Sequence, residues 1–123
     1  MKDDLDFEAT AKTFYEVLFR EAPAAQALFK DDTSKIVMLV NALESIASME
    51  RGDGQLTDFM AMLGDQHRKY GVTQEFMHAG WKAFNAALDV GATNVHGVRR
   101  QFYENAFLKL VAAMGFDPSS FTR

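Results

Sequence analysis

Among the side chains of this sequence that could perform chemistry, His67 is the one whose placement needs an explanation. It lies in "MLGDQHRKYGV" (62–72), where Leu56, Phe59, Met60, Leu63, His67 and Tyr70 recur at helical spacing and form one stripe. An imidazole on that stripe faces the interior or a pocket, where an unpaired polar group costs about 1–3 kcal/mol. It can be a core histidine tied to a backbone carbonyl and a side chain, or a metal ligand, since neutral imidazole is a common one. A second histidine or a carboxylate on the same face would suggest zinc. Asp65 and Gln66 point elsewhere, and His78 and His96 sit on other segments. A single imidazole among phenylalanines and methionines suits a metal that brings most of its own ligands. Haem iron, with four porphyrin nitrogens and one protein imidazole, is that case. The second ring nitrogen then needs an acceptor, most simply a backbone carbonyl one turn back, near Leu63.

The elements that must hold this histidine read as helices throughout. Pro23 and Pro118 are the only prolines, and no alternating β-branched run occurs. A first helix is expected from about Asp6 to Arg20, with Phe7, Ala11, Phe14 and Leu18 on one face. A short helix follows, with Pro23 near its first turn and Phe29 at its far end. Asp31-Asp32-Thr33-Ser34 offers caps for a third helix carrying Ile36, Leu39, Val40, Leu43 and Ile46 and fading near Met49. Arg51-Gly52-Asp53-Gly54 reads as a loop before the histidine helix, which Gly71 ends. Thr73 caps a helix with Met77, Gly80, Trp81, Phe84 and Leu88. The turn Gly91-Ala92-Thr93-Asn94 leads to a last helix with Tyr103, Phe107, Leu110, Val111 and Met114, closed by Gly115 and Pro118. The expected fold class is all-α: five substantial helices, one short one and no strand, in a single domain over residues 1–123.

Composition narrows the function classes. The chain is 48% hydrophobic and 24% charged, as a globular domain with a core should be. Eleven phenylalanines and seven methionines supply bulky, adaptable side chains that line pockets as well as fill cores. With no cysteine, disulfides, thiolate catalysis and zinc–thiolate sites are excluded. The formal net charge of −4 and the dispersed cations argue against a nucleic-acid partner. No apolar run reaches the roughly 18 residues of a membrane span, and the acidic start MKDDLDFEA is unlike a secretory signal, so a cytoplasmic location is expected.

The order of these segments resembles the bacterial globins, especially single-domain bacterial haemoglobins and the globin domain of flavohaemoglobins. "FYEVLFREAPAAQALF" (14–29) is similar to their first core helix and short turn helix, and "HRKYGV" (67–72) to their proximal-histidine segment. The likeness covers roughly residues 7 to 114. It implies a globin-like helical sandwich with a shortened N-terminal helix, holding haem (heme b, iron protoporphyrin IX). In that likeness His67 is the proximal iron ligand, and Phe29 packs against the macrocycle. Tyr15 stands on the distal side as a donor to a diatomic ligand, and Lys35 takes the distal polar position. Leu39 is the apolar residue a turn later. Phe14, Leu63, Tyr70, Val72, Met77 and Phe84 complete the implied cofactor-binding set, with Phe19 and Phe59 as further shields against water. Lys35 or Met38 could reach the iron as a sixth ligand. The distal residue of bacterial relatives is usually Gln rather than Lys. The glycine pairs of truncated globins are missing, and the proximal helix is of full length. The late Glu of flavohaemoglobins has no equivalent at Phe116-Asp117, which points away from strongly activated oxygen chemistry.

Two functions from different classes follow. One is reversible binding of O2, NO or CO for oxygen or NO handling or sensing. Turnover of NO needs electrons, and the sequence has no G-x-G-x-x-G run, so it would rely on a separate reductase partner. The other is a haem-free globin-fold regulatory or interaction module, whose missing first helix exposes an apolar side for a partner or a homodimer. His67 and Phe29, which haem-free relatives commonly lose, both stand here. Bilin carriage through cysteine is excluded.

Overall fold

The computed structural model describes residues 6–28, 32–49, 53–91 and 97–121, with the side chains of 32–34, 53–54 and 97–99 left out of the description. The described residues are helical with no strand. Helix α1 (Phe7–Glu21) is followed by a 3₁₀ turn (Pro23–Leu28), then α2 (Asp32–Ser48), α3 (Asp53–Lys69), α4 (Gln74–Gly91), α5 (Gly97–Ala113) and a second 3₁₀ turn (Pro118–Ser120). None of these helices is long and apolar enough to cross a membrane. Asp53 and Gly54, expected in a loop, belong to α3. Phe29 and His96 lie outside the described residues.

Local chemistry sets the helix ends. Asp6 caps α1, its carboxylate accepting from the Ala9 N–H at 3.1 Å. Thr73 caps α4, its hydroxyl accepting from the Phe76 N–H at 3.2 Å. Gly71 and Gly115 take φ of +82° and +91° after α3 and α5, a conformation that glycine adopts at no steric cost. At each, paired hydrogen bonds close a Schellman motif. Val72 N–H donates to His67 O and Gly71 N–H to Arg68 O, while Phe116 N–H donates to Val111 O and Gly115 N–H to Ala112 O.

Small residues decide which helices meet. Helix α1 lies along α4, where Ala11, Ala83 and Ala87 are fully buried. Gly91 at the end of α4 has no room for a side chain, because a Cβ there would collide with Thr10 Oγ1. Thr10 is itself buried and donates from that hydroxyl to Asp6 O at 2.8 Å, and Asp6 N–H donates to Gly91 O at 2.9 Å. Beside this crossing runs an aromatic layer. Phe14 meets Phe84 edge-on at 6.4 Å, and Phe107 packs on Phe84 at 5.2 Å and on Trp81 at 5.3 Å. Helix α3 packs on α5, and α2 on α1. The second 3₁₀ turn, absent from the sequence-based expectation, is capped by Asp117 and ends in Phe121. That ring is buried and stacks on His78 at 4.0 Å.

Replacing Gly91 with alanine overpacks the α1–α4 crossing. Gly91→Ala is expected to lower the unfolding free energy by about 1–3 kcal/mol in urea titrations. Thr10→Ala in the same chain should return part of that loss, by removing the hydroxyl that collides.

Candidate functional site

His67 sits in the last turn of α3, half-buried. Its Nδ1 lies 2.7 Å from the Leu63 carbonyl oxygen. A carbonyl can only accept, so Nδ1 carries the proton, and in the neutral ring Nε2 presents its lone pair. Burial lowers the His67 pKa from the ordinary 6.5, and the bond to Leu63 opposes that shift without cancelling it. The ring is therefore neutral at neutral pH, with its tautomer set by its own helix. A tie of this kind to the second nitrogen is the usual support of a metal-bound imidazole.

The turn that carries the ring is held against the end of α5. Gly64 faces Ala113 so closely that a Cβ on it would lie 2.8 Å from the Ala113 Cβ. Arg68 Nη1 donates to Ala113 O, and Nη2 reaches Asp65 Oδ1 at 3.4 Å. Among the described residues, no three His, Asp or Glu side chains converge on a point that could hold an ion.

A second feature lies between α1, the first 3₁₀ turn and α2. An open cavity of about 520 Å³ is lined by Lys12, Tyr15, Glu16, Phe19, Gln26, Lys35 and Ile36. Lys35 is 6% exposed, with its ammonium 5.4 Å from the ring centres of both Tyr15 and Phe19. Burial pushes the Tyr15 phenol up, so its hydroxyl stays protonated and able to donate.

The structure brings Tyr15 and Lys35 together and does not bring His67 to the same cavity. Lysine is ordinarily solvated, but Lys35 is buried beside two aromatic rings. Phe14 contacts Tyr15 edge-on at 5.0 Å but packs into the core beside Phe84. Met77 and Phe84 are core residues, while Leu39, Leu63, Val72 and Phe59 are partly buried against the same cluster. Tyr70 departs from the expected stripe: it follows the last residue of α3 and is 64% exposed, because the chain has already turned out of the helix. Met38 is 59% exposed, on a side of α2 away from the core. Ile36, rather than Leu39, supplies the apolar wall next to Lys35. Lys12, Glu16 and Gln26 join it without any signal in the sequence, since each reads as solvated. Phe19, expected from the globin likeness as a shield against water, lies one turn beyond Tyr15 and lines the same cavity.

Comparison with family models, with curated proteins and with solved structures finds no match in any of the three.

The lowered His67 pKa has a defined consequence for stability while Nε2 is uncoordinated. Between the folded and unfolded pKa values the unfolded chain holds more protons. The contribution of the neutral ring is thus complete above the unfolded value of 6.5 and declines as pH falls through the folded one. The difference in unfolding free energy between wild type and His67→Gln should shrink as the pH is taken from neutral to about 5. A difference that stays constant over that range rejects the assignment.

Proposed function

We propose that the chain is a haem-binding globin that takes a diatomic gas, O2, NO or CO, with His67 as the axial ligand. The observation that carries the reading is the 2.7 Å contact of His67 Nδ1 with Leu63 O in an otherwise apolar stripe. It leaves a neutral Nε2, the donor that an iron porphyrin takes from a protein. A neutral Nε2 is a donor of the kind that the group takes, and neither described cavity is lined by His67. If bound, haem would supply an iron centre able to hold a diatomic ligand.

The chain's own residues do the rest. Leu63 O holds the His67 proton on Nδ1 and keeps Nε2 basic. The globin likeness assigns the Tyr15 hydroxyl, kept protonated by burial, as donor to the bound ligand, while the cavity that Tyr15 lines is not lined by His67. A ligand that acquires negative charge is stabilised by such a donor by about 1–3 kcal/mol. The Lys35 Nζ lies 5.4 Å from the centres of the Tyr15 and Phe19 rings on the wall of that cavity. The likeness of "FYEVLFREAPAAQALF" and "HRKYGV" to bacterial globin segments supports the same assignment. Carriage, sensing and NO removal all use this site, the last with a separate reductase.

One observation favours the second reading, a haem-free regulatory or interaction module. The cavity beside Tyr15 takes no wall from α3, and α2 and α3 expose Val37, Met38 and Met62 for a partner or a second copy.

Purified protein with haem added should develop a Soret band that is lost in His67→Ala. Tyr15→Phe should retain the band and release O2 roughly tenfold faster or more, by flash photolysis or stopped flow. A wild-type protein that stays colourless in the presence of haemin rejects the globin reading in favour of the interaction module.

A further inference from the structure

Helix α1 has a second working side. Ala11 and Leu18 are buried on one side of it, while Lys12, Tyr15, Glu16 and Phe19 follow at spacings of three, one and three residues and share another. That second stripe is one wall of the open cavity of about 520 Å³, and Gln26, Lys35 and Ile36 supply the rest. The volume lies within the roughly 300–1,000 Å³ of small-molecule sites. Among the described residues, neither His67 nor any other residue of α3 lines it. Lys35 is its unusual member. Lysine is among the residue types least often buried, yet Lys35 is 6% exposed, with Nζ over both the Tyr15 and the Phe19 ring. The two rings are 5.8 Å apart and inclined by only 32°, so one amine reaches both. The Tyr15 hydroxyl, kept protonated by burial, is a second donor of the same cavity. Lys12, Glu16 and Gln26 are exposed, so the polar groups with least access to water are Lys35 and Tyr15.

We infer that this cavity binds a small monocarboxylate with an apolar body, its carboxylate on Lys35 Nζ and the Tyr15 hydroxyl and its body against Phe19 and Ile36. Two donors set among apolar atoms call for an acceptor, and an ionised carboxylate is the strongest that an organic molecule of this size carries. A lysine amine has more than one N–H, so it serves a ligand oxygen alongside a protein partner. A cationic ligand is disfavoured, because the Lys35 amine already lies over both rings. The inference stands apart from the reading of His67, since α3 gives the cavity no wall among the described residues.

The test titrates the full, 15N-labelled chain, without added haem, with sodium benzoate and follows amide shifts. Benzoate should give saturable shifts in α1, the first 3₁₀ turn and α2, with a Kd of about 10 mM or tighter. Benzamide, the neutral analogue, should bind roughly tenfold more weakly or worse. Benzylammonium and inorganic phosphate, which lack the acceptor and the apolar body respectively, should give no saturable shifts there. Lys35→Met, which keeps the length of the side chain, should weaken benzoate roughly tenfold or more, and Tyr15→Phe roughly three- to tenfold. His67→Ala should bind it as wild type does. The inference is overturned if wild type shows no saturable shifts with benzoate, or if benzamide or phosphate binds as well. Equal affinity in Lys35→Met, or loss of binding in His67→Ala, overturns it too. A chain that takes up haem but ignores benzoate loses this inference and keeps the reading of His67; one that binds benzoate but no haem does the reverse.

Discussion

The hydrogen bond from His67 Nδ1 to Leu63 O is the interaction on which the site depends. It is made within one helix, four residues apart, so any sequence that is helical here and has histidine at this position can form it. The Leu63 carbonyl already accepts the helical N–H of His67, and its second lone pair takes the ring proton. The bond therefore opens no gap in the backbone ladder. It also resolves a conflict between two forces. Burial disfavours the charged imidazolium, and a carbonyl near the negative end of a helix favours it. Burial prevails, and the ring stays neutral with a defined tautomer.

A fixed tautomer is useful only on a fixed helix. Helix α3 obtains its fixity from α5 through Gly64, Ala113 and Arg68, and both helices stop in the same way, at a glycine of positive φ. Arg100 does comparable work between α4 and α5, donating to Glu104, Asp89 and the Asn85 carbonyl while only 18% exposed. The α1–α4 crossing relies on small side chains instead, with Thr10 against Gly91 and alanines along the contact. Close helix approach is thus achieved by two means, absent side chains and charged side chains that end on carbonyls.

Much of the helix plan was legible because apolar spacing, caps and glycines are local signals. The Thr73 cap, the stop at Gly71 and the core residues Trp81, Phe84 and Leu88 all follow from neighbours within one or two turns. The carbonyl partner of His67 was legible for the same reason. Other features were not. Periodicity alone carried Tyr70 onto the buried stripe, but the helix ends one residue before it, and the side chain follows the turn into solvent. Lysine is ordinarily solvated, so the burial of Lys35 could be known only once α1 laid Tyr15 and Phe19 over it. Phe121, in a short tail without periodicity, gave no sign of its seat against His78.

By itself the sequence determined an all-helical chain, the apolar stripe with one imidazole on it, and the tautomer of that imidazole, because each depends on residues within about four positions of one another. Tertiary structure alone decided which walls enclose Tyr15 and Lys35, which carbonyl receives Arg68, and where two helices come within a methyl group's width. Those outcomes depend on contacts between distant segments, and the energy of such a contact is unspecified until packing has chosen the partner.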